Sequence, residues 1–332
     1  VTKALVTGLV LLLYALALGG RRITPVHVAL AIGYLLAGFR LGYDTLMYRM
    51  LLEEGRLDHY GVVWALFERL YNVTGVWWIV HASILTLITW PIAVLANRTP
   101  WPTLALAMFI TLPGLGFDYL SLLRQALATA LVIVFHLQAS RRAWLGAAIA
   151  GAAAYLAHPA AGFALVILLF FHLRHDVKRL IIGSAAVAMA LAVVIFAAPD
   201  FAQSQISNIG FLFARYLITD AVIENDSGLK LAMFWAFILT VPVLLQAVVR
   251  PKSVLQAPFL VTLSFVILYG VLVTVSGSSV RLVWLLLPIV LAMPLSALVQ
   301  PGPPYLINLC RGVVVAVCAS AAVYVVQIAP EH

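Results

Sequence analysis

Charge is scarce in this sequence, and that scarcity is the first constraint. Asp, Glu, Lys and Arg make up 10% of 332 residues and apolar types 64%, against roughly 25% and 45–50% in soluble domains. No stretch is polar enough to form a water-soluble domain, so residues 1–332 are expected to be one polytopic membrane domain. Cysteine is almost missing. Cys310 and Cys318 would lie ~12 Å apart on a helix rising ~1.5 Å per residue, too far for a disulfide. No Cys–His spacing suggests a metal site. A Walker motif, a GxSxG elbow and a dinucleotide fingerprint are also lacking, which argues against soluble nucleotide-driven chemistry. No cofactor and no metal is expected.

What is present is a series of long apolar runs. Measured against the ~20 residues that cross a ~30 Å hydrocarbon layer, they give about twelve helices, an all-α polytopic fold. The runs are 4–19, 24–39, 75–96, 101–116, 119–138, 142–157, 159–173, 180–198, 229–249, 255–275, 280–298 and 309–327. The first run is read as a span, since Gly19-Gly20-Arg21-Arg22 follows it with no small-x-small cleavage site.

The net charge of +8 is distributed as short clusters between runs, which indicates membrane orientation and not nucleic acid. Arg21/Arg22, Arg98, Arg141/Arg142, Arg174/Lys178/Arg179 and Arg250/Lys252 fall in alternate connections. The positive-inside rule makes that side cytoplasmic and puts the N-terminus outside. Nearly all the acids occupy the other loops. Two of those outer segments, 40–74 and 199–229, are long enough to cover an outward-facing cavity. In the first, Asp58 is a plausible N-cap before a helix carrying Tyr60, Val63, Trp64, Phe67 and Tyr71 on one face, with Glu68 and Arg69 on another. Such a helix suits the headgroup level.

Ionisable residues inside apolar runs are informative because each costs about 2.5–3.5 kcal/mol or more at mid-bilayer without compensation. Arg124 enters the fifth run from its outer end, where a guanidinium would bind a phosphate or diphosphate. Reaching outward to solvent, or pairing with Asp118, is the plain alternative. Arg281 opens the eleventh run from the same side, and two such arginines would clamp one diphosphate. His158, at an outer corner before Pro159, would accept a proton from a sugar hydroxyl, bind a phosphate oxygen, or merely join two helices. Asp44 lies four residues after Arg40 and four before Tyr48, so a continuous helix puts the three on one face. It is a candidate base or sugar ligand, or else a cap or a partner of Arg40. Glu53-Glu54 and the His172–His175 segment read as solvated faces, and His136 as too deep for an outer site.

These features, in this order, resemble a family. Gly42-Tyr43-Asp44 with Tyr48 is similar to the G-x-D…Y segment of EpsG-type exopolysaccharide polymerases, a branch of the Wzy-like O-antigen polymerases. Leu123-Arg124-Gln125-Ala126-Leu127-Ala128 resembles their R-Q-x-(I/L)-A helix, and Ala157-His158 the A-x-x-(F)H that ends a span. Arg215-Tyr216-Leu217 and Arg281 resemble later Tyr and Arg positions. Pro159 follows the histidine where a small polar residue is usual, and Phe213 replaces the first later tyrosine. The resemblance implies a GT-C-like membrane glycosyltransferase of the bacterial cytoplasmic membrane, with its active site facing the exterior or periplasm. It would transfer a glycan from undecaprenyl diphosphate to a hydroxyl of another lipid-linked repeat unit, without metal.

In that reading His158, Asp44 and Arg124 are catalytic. Arg281, Gln125, Arg215, Tyr216, Tyr48, Arg40 and Asp118 bind substrate. The implied partners are the lipid-linked donor and acceptor, membrane lipids and a chain-length regulator. Alternatives are a polyprenyl-phosphate-sugar transferase, an O-antigen ligase, or a flippase for a lipid-linked saccharide.

Overall fold

The computed structural model describes residues 2–19, 22–38, 43–99, 101–112, 123–173, 285–286, 288–289 and 304–328. All regular structure among them is helical, as segments in hydrocarbon require when no water is available to satisfy backbone groups. The chain divides into two compact units, residues 1–161 with 301–332, and residues 162–300.

The first unit contains α1 (Thr2–Gly19), α2 (Pro25–Ala37), α3 (Tyr43–Glu53), a 3₁₀ turn (Leu57–Tyr60), α4 (Val62–Thr74), α5 (Trp77–Ala96), α6 (Pro102–Thr111), α7 (Leu123–Ser140) and α8 (Trp144–Ala157). Helix α9 (Ala161–Leu173) starts at the unit boundary, and α10 (Pro304–Ile328) returns to the first unit. In the second unit Ala164, Leu168, Leu285, Leu286 and Ile289 are buried.

Helices α1, α5 and α7 are long and apolar enough to cross a membrane, and they match expected spans 4–19, 75–96 and 119–138. The runs at 24–39, 101–116, 142–157, 159–173 and 309–327 return as α2, α6, α8, α9 and α10. Expected spans 180–198, 229–249 and 255–275, nearly all of 280–298, and the outer segment 199–229 lie outside the described residues. Helix α6 ends at Thr111, earlier than its apolar run. Leu112 is extended (φ −76°, ψ 145°), the conformation that the following Pro113 imposes on the residue before it. His172, expected in a loop, instead lies in the last turn of α9.

Helix α6 is buried along its whole length and packs against α1, α2, α5 and α10. The buried Tyr14 hydroxyl and Thr111 Oγ1 meet at 3.0 Å and tie α1 to it. Helices α1 and α10 run antiparallel. Lys3 Nζ donates to the Gln327 carbonyl at 2.8 Å, Gln327 Nε2 to Thr7 Oγ1 at 2.9 Å, and at the other end Arg311 donates to the Ala17 carbonyl. Leu5, Leu11, Leu12 and Leu18 remain on the outside of α1, where hydrocarbon solvates them at no cost.

Helices α7 and α8 pair along their length. On α8 the buried stripe is Ala147, Ala150, Gly151, Ala154 and Ala157, small residues that let two backbones approach closely where no hydrophobic effect drives helices together. Leu145 and Ile149 face outward. Arg98 and Arg141, from two of the basic connections, lie at the same end of the bundle. Burial and the neighbouring Arg141 guanidinium both pull Arg98 below its ordinary pKa, a mutual repulsion that requires proximity. The segment α3 to α4 lies at the opposite end, against the start of α7 and the end of α8.

Candidate functional site

The 3₁₀ turn and α4 build the site's frame. Glu68, in the second turn of α4, accepts the backbone amides of Leu57 (2.8 Å) and Asp58 (2.9 Å) through Oε2. It closes the start of the 3₁₀ turn as an N-cap side chain would. Asp58 is therefore not the helix cap expected from sequence: α4 starts after Gly61, and Asp58 Oδ1 pairs with His59 Nδ1 at 2.7 Å. That hydrogen bond holds the Asp58 carboxyl below the usual carboxylate range. Substituting Glu68 with Ala leaves two amides without their acceptor and is expected to destabilise this segment by about 1–2 kcal/mol. Hydrogen exchange should accelerate at residues 57–60 and not at the amides of α7.

Gly61 has φ +107°, and a Cβ there would meet the Leu156 carbonyl at 3.4 Å. Only glycine reaches this conformation without strain, so the turn can lie directly on the last turn of α8. In the first turn of α4, Trp64 is completely buried and its Nε1 donates to the Ala157 carbonyl at 3.1 Å. Tyr48 from α3 stacks on Trp64 (5.2 Å between centroids, 14° between planes) and meets Tyr60 edge-on at 5.7 Å. Phe67 extends the cluster at 5.7 Å from Trp64.

Arg124 meets this cluster from the first turn of α7. Its Cζ lies 4.4 Å from the centre of the Tyr60 ring, within the ~6 Å reach of a cation–π contact. Its Nε is buried and has no hydrogen-bond partner among the described residues. Gln125 beside it is buried. Adjacent residues of one turn, Tyr60 and Gly61, thus touch Arg124 on one side and the end of α8 on the other.

His158 follows immediately on α8. Its backbone is extended (φ −157°, ψ 118°), as the residue before proline prefers. Its Nδ1 accepts the Ala160 amide at 3.2 Å and its carbonyl accepts the Ala161 amide at 2.9 Å.

The structure therefore brings Arg124, Gln125, Tyr48 and the end of α8 bearing His158 to one end of the first unit. Asp44 is in the first turn of α3, four residues before Tyr48. Arg40, Asp118, Arg215, Tyr216 and Arg281 lie outside the described residues. Sequence reasoning placed Tyr60 and Trp64 only on an apolar face and Glu68 only on a polar one; Gly61, directly after Tyr60, was the available sign of a tight turn. Glu53 and Glu54 pair with Arg49 (2.8 Å) and Arg56 (3.2 Å), in keeping with a solvated face. No metal-holding group of His, Cys, Asp and Glu occurs among the described residues.

No curated protein and no solved structure gives a significant match to this chain. A sequence model of the EpsG family matches residues 26–331, a range that takes in the Asp44–Tyr48 segment, the Arg124-Gln125 helix and His158. With nearly the whole chain matched and its helices built for a membrane, the protein belongs to the EpsG family.

Proposed function

We propose that this chain is a repeat-unit polymerase of exopolysaccharide biosynthesis. It transfers a glycan from undecaprenyl diphosphate to a hydroxyl of another lipid-linked repeat unit at the outer leaflet of the bacterial cytoplasmic membrane, on a GT-C-like fold of about twelve spans. Family membership supports the biosynthetic setting. The observation that carries the chemistry is Arg124: a guanidinium held over an aromatic ring near the end of a membrane helix, its Nε unpartnered among the described residues. A planar cation that keeps its charge out of water is suited to paired phosphate oxygens.

In the reaction the acceptor oxygen bonds to the donor's anomeric carbon and loses its proton to a base. The bond from that carbon to the diphosphate oxygen breaks, and its electron pair leaves with the diphosphate. Arg124 stabilises that developing charge from a position set before reaction begins. Asp44 and His158 are the candidates for handling the hydroxyl. Arg281, Arg215, Tyr216, Arg40 and Asp118 are assigned to substrate binding from their sequence pattern.

The test is reconstitution of the full chain in vesicles with purified lipid-linked repeat units. A ladder of product lengths is expected. A single added sugar would make it a monotransferase and glycan attached to a lipid core would make it a ligase. Substrate moved across the bilayer unreacted would make it a flippase, and each of these three results overturns the polymerase reading.

A further inference from the structure

The aromatic face that suits α4 to the headgroup level by sequence is used inside the protein, where Trp64 and Phe67 are buried. A second stripe lies on the opposite side. Val62, Leu66, Arg69 and Val73 follow one another at steps of four, three and four, and so share one line along the helix. Val62 is 63% exposed, Leu66 57% and Val73 85%, and Arg69 is exposed between them. A contiguous row of large aliphatic side chains marks a surface that is covered in use.

The position of α4 indicates what covers it. Its first turn rests on the last turn of α8, with Gly61 against the Leu156 carbonyl and Trp64 bonded to the Ala157 carbonyl. Its other end passes through the left-handed Gly75 directly into α5, which is long and apolar enough to cross the membrane. A helix strung between neighbouring ends of α8 and α5 lies across the end of the bundle and does not itself span. Tyr155 and Leu156 are exposed at the end of α8, and Val76, Trp78 and Ile79 around the start of α5. Tyr and Trp at the ends of apolar helices mark the headgroup level. The stripe on α4 therefore joins exposed apolar groups of two helices into one band, and on α5 that band faces hydrocarbon.

Charge narrows the occupant further. Arg49 pairs with Glu53, Arg56 with Glu54 and Asp58 with His59, while Glu68 holds two backbone amides. Arg69 has no ion pair or hydrogen bond among the described residues. Aliphatic groups interrupted by one long cationic side chain match the boundary between acyl chains and phosphates: the arginine stem lies on apolar surface and its head reaches the phosphate layer.

We propose that the face of α4 bearing Val62, Leu66, Arg69 and Val73 is seated in the outer leaflet, its aliphatic groups among the upper acyl chains and Arg69 on the phosphate of an anionic phospholipid. The bilayer then supports from outside the helix that supplies Glu68 and Trp64 to the site, whatever reaction the site performs.

Two measurements on the full chain in vesicles test it. Nitroxide labels are placed at Leu66→Cys, at Val73→Cys and, on the solvated face of α3, at Glu53→Cys, each in a chain carrying Cys310→Ala and Cys318→Ala. The ratio of collisions with dissolved oxygen to collisions with a water-soluble nickel chelate should be about threefold or more higher at positions 66 and 73 than at 53, because a face buried in the acyl boundary excludes the chelate. Equal ratios at all three positions put the stripe in water. Low collision with both reagents at 66 and 73 means that a second copy of the chain or another protein covers it. Either result overturns the proposal.

Hydrogen exchange on the unsubstituted chain is the second reading. The amides of residues 66–73 should exchange about fivefold more slowly in phosphatidylcholine containing phosphatidylglycerol than in phosphatidylcholine alone, the equivalent of the ~1 kcal/mol that one basic residue gains near an anionic surface. Arg69→Gln should lose that difference and Arg69→Lys should keep it. Equal exchange of the parent in the two bilayers, or a difference that persists in Arg69→Gln, overturns the assignment of Arg69 to anionic lipid. The parent needs no label, so this reading stands even if a cysteine variant folds poorly.

Discussion

Arg124→Ala is expected to lower the initial rate of polymer formation by about 10²–10³-fold, the range found when a preorganised donor to developing negative charge is removed. The variant should remain folded, because Arg124 contributes one cation–π contact, worth about 0.5–2 kcal/mol, at the first turn of a helix in which Leu123, Gln125, Ala126 and Leu127 are all buried. Arg124→Lys restores the charge but neither the planar fork nor the stack on Tyr60, so it should recover only part of the rate. The measurement is the rate of ladder growth in vesicles at matched amounts of folded protein. A rate within about threefold of the parent, a loss below ~1 kcal/mol of transition-state stabilisation, would remove Arg124 from the site.

The largest effect on stability is expected at Trp64. It is completely buried, stacked by Tyr48, and joined to α8 by its indole N–H. Trp64→Ala removes the ring against which Tyr48 and Phe67 pack and should cost about 3–5 kcal/mol. Trp64→Phe keeps most of the packing and loses the bond to the Ala157 carbonyl, a cost of about 1 kcal/mol. Thermal unfolding in detergent should rank the parent above Trp64→Phe and both above Trp64→Ala. Trp78→Ala, in which the replaced ring is 47% exposed, serves as the control and should shift the midpoint least. Because Trp64 anchors the residue before His158, Trp64→Phe should also lower activity without touching the substrate. A normal rate in that variant would mean that the end of α8 keeps its position without this bond.

The positions of Arg124 and His158 were legible in the sequence because a polar group in an apolar run is expensive whatever the fold, and the expense marks it. Glu68 was not. Its spacing marks a polar face, and only the path of the chain around Gly55 brings the amides of Leu57 and Asp58 to its carboxylate, eleven and ten residues back. Helix α6 illustrates the intermediate case: hydropathy overran its end, while the dipeptide Leu112-Pro113 signalled the stop.

By itself the sequence determined the solvent and the element type: apolar runs of membrane-spanning length must be helices, and their basic connections alternate, both being properties of neighbouring residues. Tertiary structure alone decided that Tyr60 lies under Arg124 and that Trp64 reaches Ala157, 93 positions away. Those contacts depend on how closely helices can approach, which the small residues of α8 permit and the positive φ of Gly61 completes. Both are set by packing across distant parts of the chain, where local pattern carries no information.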